Sequence, residues 1–359
     1  MNKLINYIFI TIIFGIFALN IIVEDKEFSH NENRYLKDFP KFTLESLLDG
    51  EFTKDIESYI QDQFISRDTW ILSKALFNKA LFKIENNNVY LGSDEYLFDQ
   101  FIVNDYQVLD SNISYINKFS NNLAIMPIVS SATINSKYLS SYAYNTNELE
   151  ILDYLKDKLD KDYIDVYSYL KDSNNSYFKT DHHWNTNGAY LGYKAYMEYL
   201  NIKPNEYTMI EVNDEFKGSM YSKSGMFYYD SEKIYRIKEL DDYNIEVIYD
   251  KEVTSDSVYS DLKLKEKDKY TYYLDGNHAI VEIINHSNTS DDKLLVIKDS
   301  YAHIMLPYLV PHFKEVVIID LRYYLAKTSD LIDEKNINNV LVLYSLNQLV
   351  KDNNLKLLR

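Results

Sequence analysis

The chain has 359 residues, 46% of them hydrophobic, which is enough apolar material for one large domain or two modest ones and excludes disorder as the default state. With 55 acidic against 38 basic residues the formal net charge is -17, and the sequence contains no basic block able to neutralise a run of phosphates, which excludes nucleic acid as a partner. The absence of cysteine excludes disulfides, thiolate metal sites, a cysteine nucleophile and lipid anchoring through an N-terminal cysteine.

Residues 4–23 form an uncharged run, LINYIFITIIFGIFALNIIV, preceded by Lys3 and followed by Glu24, Asp25, Lys26 and Glu27. A helix of this length rises about 1.5 Å per residue, enough to cross the roughly 30 Å hydrocarbon layer of a bilayer. The positive charge precedes the run and the acidic residues follow it, so the expected topology leaves the short N-terminus in the cytoplasm and exports the rest. A cleaved signal peptide is the competing reading. Its apolar core is usually shorter and ends in small residues, which Ala18-Leu19-Asn20 matches poorly. The chain is therefore expected to be a single-pass protein of the cell membrane, anchored through residues 1–23, with its main domain extracellular.

Residues 24–88 read as a polar stalk followed by helices, because Ile56, Tyr59, Ile60 and Phe64, then Ile71, Leu72, Ala75, Leu76 and Ala80, recur at near-helical spacing. Residues 89–98 have strand, turn, strand character around Gly92, Ser93 and Asp94, and read as a hairpin opening a main domain over 89–359. Within it, apolar runs at 123–129, 164–166, 294–297, 316–319 and 340–343 alternate with helical patterns at 147–160 and 187–200. That alternation predicts an α/β fold with a mostly parallel sheet covered on both faces. Residues 205–290 break the pattern with short alternating stretches, such as 270–274 and 279–284, and read as a β-rich insertion.

The most informative stretch is Thr180-Asp181-His182-His183-Trp184-Asn185, just before a helix capped by Asn185 or Thr186. In an extended segment residues i and i+2 point the same way, so Asp181 can accept a hydrogen bond from His183 and fix the tautomer whose other nitrogen takes a proton. His182 is expected to point elsewhere. Ser300 is the best-placed nucleophile for that base: it ends the apolar run Leu294-Leu295-Val296-Ile297-Lys298-Asp299 at the turn into a helix, where ligands bind in open sheets. Its backbone N–H can also help hold an oxyanion. Taken singly, an Asp-x-His or a strand-end serine is more often structural; their joint occurrence in one α/β domain carries the reading. A metal reading of the same stretch, completed by His303 or His312, is disfavoured because adjacent histidines in an extended segment diverge and no HExxH spacing exists, so no metal is expected.

These residues resemble the DHHW family, named for Asp181-His182-His183-Trp184 and related to alginate O-acetyltransferase-like proteins of the SGNH hydrolase superfamily. Further matching blocks are Asn33-Arg34-Tyr35-Leu36, Asp62-Gln63-Phe64 with Arg67-Asp68, Val89-Tyr90-Leu91-Gly92, Gly218-Ser219, Lys298-Asp299-Ser300 and Asp320-Leu321-Arg322-Tyr323-Tyr324. The resemblance implies a three-layer SGNH-like sandwich in circularly permuted order, with Ser300, His183 and Asp181 catalytic and Arg322 near the cleft. SGNH enzymes commonly carry Gly-Asp-Ser around the nucleophile, where this chain has Lys298-Asp299-Ser300. Arg322, Lys298, Tyr323, Gly218 and Asn347 are candidates for substrate or oxyanion contacts.

The implied activity is O-acetyl transfer to, or acetyl ester hydrolysis of, a cell-surface or secreted polysaccharide, with no cofactor beyond an acetyl donor for the transferase. A multispanning membrane O-acyltransferase is the expected source of acetyl groups. A non-catalytic envelope or exopolysaccharide-binding protein is the alternative. The 35 tyrosines do not decide for sugar binding, since an AT-rich codon bias supplies them and aromatics ordinarily fill cores. The acidic balance disfavours an acidic polymer unless Lys298 and Arg322 form a local basic patch.

Overall fold

A computed structural model describes residues 2–119 and 122–358. The chain divides into two compact units: residues up to Asn87 together with Tyr221–Tyr229, and Asn88–Met220 together with Asp230 onward.

The first unit is helical. It opens with α1 (Asn2–Ile22), whose stretch Lys3–Ile22 is long and apolar enough to cross a membrane and is not buried against the rest of the protein. It continues with α2 (Leu44–Leu48), closed at its start by a reciprocal Thr43–Ser46 capping box, α3 (Glu51–Asp62) and α4 (Arg67–Ala80). The matched blocks at Arg34, Asp62 and Arg67 form an ion-pair cluster. Asp62 takes both Arg34 terminal nitrogens at 2.8 and 2.5 Å and the Lys37 N–H at 2.9 Å, while Arg67 pairs with Glu32. These pairs tie the segment around Glu32 and Arg34 to the end of α3 and the start of α4.

The second unit is built on a sheet of eight strands among the described residues: β1 (Ala124–Ile128), β2 (Asp162–Tyr163), β3 (Ile245–Tyr249), β4 (Val253–Ser255), β5 (Ile280–Asn285), β6 (Lys293–Lys298), β7 (Glu315–Ile319) and β8 (Asn339–Ser345), in spatial order β4-β3-β5-β7-β6-β8-β1-β2. From β7 to β2 neighbouring strands are parallel; β5, β3 and β4 extend that edge in antiparallel fashion. The alternation of side chains explains the apolar runs. Leu294, Val296, Leu341 and Leu343 enter one core with Trp184 and the helix α7 (Thr186–Tyr199). Leu295, Ile297, Val340 and Val342 enter the other with α5 (Gln107–Lys118), α6 (Glu148–Lys158) and α8 (Leu346–Lys351). A strand buried on both faces cannot alternate apolar with polar, so it reads as a continuous hydrophobic run. This is the three-layer α/β sandwich expected from the sequence.

Two local expectations are corrected. The strand expected at 164–166 lies at Asp162–Tyr163, because this edge strand is short and only the Ile164 N–H, bonded to the Ile125 carbonyl at 2.9 Å, continues toward β1. The alternating stretch 270–274 is not a strand. Lys269–Tyr272 is a 3-10 turn, and a single bridge joins Tyr273 to Tyr259. The β-rich region around 205–290 includes an antiparallel pair, Met209–Phe216 with Glu232–Ile237, but β3, β4 and β5 belong to the main sheet.

Candidate active site

The loop from the parallel strand β6 places Ser300. Asp299 caps the 3-10 turn Ser300–Ala302 by accepting the Tyr301 N–H at 3.0 Å, and its other carboxylate oxygen takes the Ser345 N–H at 2.8 Å, at the end of β8. Asp299 thus ties the serine turn to the neighbouring strand without a glycine before it.

The Asp181–Trp184 segment is set by α7. Asn185 caps that helix by accepting the Asn187 and Gly188 N–H groups, and a bridge pairs Trp184 with Tyr177. Two reciprocal hydrogen bonds lace this segment to the serine turn. The buried Trp184 indole donates to the Tyr301 carbonyl at 2.8 Å, and the Tyr301 hydroxyl donates to the His182 carbonyl at 2.5 Å. His183 and Ser300 are therefore carried by two turns locked to one another.

The result is a contiguous relay. His183 Nε2 lies 2.8 Å from Ser300 Oγ, and His183 Nδ1 lies 2.5 Å from Asp181 Oδ1. Oδ1 also accepts the His183 backbone N–H at 3.0 Å, while Oδ2 accepts the Ser219 N–H at 2.7 Å and hydroxyl at 2.8 Å. Burial would raise the Asp181 carboxyl, but the adjacent His183 and His182 and these donors hold it below the usual carboxylate range. An anionic Asp181 requires a proton on His183 Nδ1, leaving the Nε2 lone pair to accept the Ser300 hydroxyl.

Burial, reinforced by His182, pushes the His183 imidazole down to about 4 against the pull of Asp181. A general base works unprotonated, so any activity that uses His183 in that role is lost as pH falls through its pKa. Ester turnover should hold flat below the ordinary imidazole value of 6.5 and fall with a midpoint near 4. A pH–rate profile of kcat/KM checks this; an acid limb centred at or above 6.5 contradicts it.

Tyr270, a residue that sequence patterning did not single out, stacks on His183 with ring centroids 3.8 Å apart and planes 7° apart, and its hydroxyl donates to the Ser300 carbonyl at 2.8 Å. Ser219 was legible only as part of a matching block. Its hydroxyl donates to Asp181, so at 2.8 Å it accepts from His182 Nδ1. The two imidazoles do not diverge as an extended segment would make them: their centroids are 3.8 Å apart, because the chain bends at these residues and Asp181 draws both rings to its own side. The cluster Asp181, His182 and His183 brings ligand atoms within 4.8 Å of one another, a spacing a metal could use. Both His183 nitrogens already serve Asp181 and Ser300, so a metal there would have to displace one of them.

The remaining sequence candidates divide. Gly218 is a close-approach glycine. A Cβ there would stand 2.3 Å from the Asp181 Cβ, and its N–H donates to Thr180 Oγ1 at 3.2 Å rather than facing an oxyanion. Lys298 is buried and closed to substrate, its Nζ 2.7 Å from His303 Nε2 and 3.1 Å from Asp320 Oδ2. Arg322 lays its guanidinium on the same Asp320 at 2.8 and 2.5 Å and is partly exposed, and its charge helps hold His183 neutral. Lys298 and Arg322 thus share one buried carboxylate and do not form the open basic patch considered above. Tyr323 is exposed beneath the Arg322 guanidinium, 5.5 Å from its ring centroid. Asn347 lies on the first turn of α8 with a buried, unpartnered Oδ1, and among the described residues no hydrogen bond joins it to Ser300.

Comparison with known proteins places this architecture. A family model described as DHHW protein matches residues 87–319. A DHHW family protein from Eubacterium siraeum has 21% identity and a TM-score of 0.65, over 76% of this chain and 96% of that one. Bacillus cereus PatB1 with a sulfonyl adduct has 23% identity and a TM-score of 0.63, over 76% and 98%. A second structure of PatB1 has 24% identity and a TM-score of 0.62, over 74% and 98%. No curated protein matches the sequence. The likeness to the solved structures is one of fold.

Proposed function

The chain belongs to the DHHW family, and on that premise we propose that it is a membrane-anchored serine acyl-transfer enzyme working outside the cytoplasmic membrane through an acyl-Ser300 intermediate. The observation that carries this reading is the unbroken contact from Asp181 through both nitrogens of His183 to Ser300 Oγ. His183 removes the Ser300 proton as Oγ attacks an ester carbonyl; the backbone N–H of Ser300, at the start of its turn, is the donor assigned to help hold the developing oxyanion. The C–O bond to the leaving alcohol breaks, and that alcohol takes the proton from His183. An incoming hydroxyl then repeats the sequence in reverse, giving its proton to His183 and carrying off the acyl group.

With a sugar hydroxyl as acceptor the protein is an O-acetyltransferase; with water it is an acetylesterase. The family resemblance favours acetylation of a cell-surface or secreted polysaccharide, supplied with acetyl groups by a multispanning membrane O-acyltransferase. The net charge of -17 and the pairing of Lys298 and Arg322 on Asp320 favour a neutral or amino-sugar polymer. The test is intact-mass analysis after brief exposure to an activated acetyl ester. One acetyl group should appear on Ser300 and leave faster when an acceptor glycan is added. Carbohydrate binding without any adduct would support the binding-protein alternative.

A further inference from the structure

The helices that follow α1 carry apolar side chains that α/β packing does not use. Short helix α2 buries none of its residues, yet Leu44, Leu47 and Leu48, spaced i, i+3, i+4, share one exposed face. On α4, Ile71 and Ala75 pack toward Gly225, while Trp70 and Phe77, with Leu81 at the C-cap, at i, i+7 and i+11, form a second stripe open to solvent. An exposed apolar surface of this extent calls for an occupant.

The neighbouring groove identifies it. A cavity of about 690 Å³ has α1 as one wall, from Ile13 to Val23, and Phe39, Tyr59, Ile60 and Phe64 as the other. Contacts fix this wall beside α1: the Ile65 N–H donates to Asn20 Oδ1 at 2.8 Å, and the Tyr59 hydroxyl donates to Asp25 at 3.0 Å. At about 1.5 Å per residue, Ile13 lies roughly 14 Å along the helix from Ile22, close to half of a hydrocarbon layer of about 30 Å. The wall therefore flanks the last half of the span. Trp70 stands next to that wall, outside the cavity itself, with its ring 6.3 Å from that of Phe64.

We propose that α2, α3 and α4 form a collar seated in the exported leaflet of a phospholipid bilayer, with acyl chains filling the groove beside α1. The depth match carries the inference: if α1 crosses the membrane, side chains level with Ile16 and Phe17 already stand among lipid tails. Aromatic residues at this boundary, together with the exposed apolar face of α2, which packs on α3, are what an interfacial element requires. Acidic and basic side chains both occur on the collar, so the contact is with acyl chains rather than with a headgroup of one charge.

The inference rests on reading α1 as a membrane anchor, and the experiment separates the two. The chain has two tryptophans, Trp70, exposed on the collar, and Trp184, fully buried in the other unit. Full-length protein is reconstituted in phosphatidylcholine vesicles whose acyl chains are brominated near the glycerol or near the methyl end. The emission difference between wild type and Trp70→Phe reads the collar; Ile10→Trp in the Trp70→Phe background reads the middle of the span. The expected result is loss of most Trp70 emission with shallow bromines, loss of the Ile10→Trp emission with deep ones, and unchanged Trp184 emission. Quenching of the span probe with full Trp70 emission overturns the collar and leaves the anchor standing, as it would if a protein partner covered the patch. No quenching of either overturns the anchor, and the collar with it.

Discussion

Ser300→Ala and His183→Ala should each lower acetyl-ester turnover by roughly 10⁴- to 10⁶-fold, and the double variant should be little worse than either alone. The non-additivity is the informative part. His183 acts on the substrate only through the Ser300 proton, so once either is gone the other has nothing to activate. Both side chains meet at a 2.8 Å contact at the edge of the sheet, and Ser300 is only partly buried, so its loss removes one hydrogen bond and leaves no large cavity. The thermal transition of Ser300→Ala should therefore stay close to that of the parent. Hydrolysis of a chromogenic acetyl ester, alongside calorimetry, checks both expectations. Equal rates in parent and variants would replace the enzyme by a glycan-binding protein on the same fold.

Much of this site was legible because the chemistry lies within short segments. Asp181 and His183 are two residues apart, and the serine ends a run, Leu294 to Ile297, whose unbroken apolarity betrays a buried parallel strand. That the Asp181–His183 turn precedes the Ser300 strand is plain in the sequence, and the permuted order is what the family resemblance implies; the apolar runs do not give the spatial order of the strands. What stayed hidden depends on chain crossings. Ser219 reaches Asp181 from 38 positions away, and Tyr270 reaches the Ser300 carbonyl from 30. Its own segment, Tyr270-Thr271-Tyr272-Tyr273-Leu274, alternates like a strand; the 3-10 turn that presents Tyr270 to His183 is a tertiary demand, not a local one.

Lys298 illustrates the converse error. Next to the nucleophile in sequence, it looked like a cation for the substrate, but it is still in register within β6, opposite Leu343, and is therefore buried. A buried ammonium needs a buried partner, and Asp320, 22 residues on, provides one while also holding Arg322. The charge at this end of the sheet is spent internally. The block Asp320-Leu321-Arg322 thus reads as support for the site, with only the outer part of Arg322 and Tyr323 left to meet a ligand.

Asp181→Asn should cost roughly 10⁴-fold in kcat with little change in KM, by forcing the wrong tautomer on His183. The carboxamide would keep an oxygen for the Ser219 N–H and hydroxyl but turn its NH₂ toward His183 Nδ1, which must then accept. The proton moves to Nε2, and the lone pair that faced Ser300 Oγ disappears. The pH profile separates this from mere misfolding. Asp181 raises the His183 pKa, by its charge and by its hydrogen bond, against the larger depression from burial. Removing that charge lowers the pKa further, so the acid limb of the residual activity should move to lower pH than in the parent, while at every pH above it the rate stays depressed. A variant that instead recovered the parental rate at high pH, or whose acid limb moved upward, would show that Asp181 does not hold His183 by charge and tautomer, and the acid–base relay through Ser300 would lose its anchor.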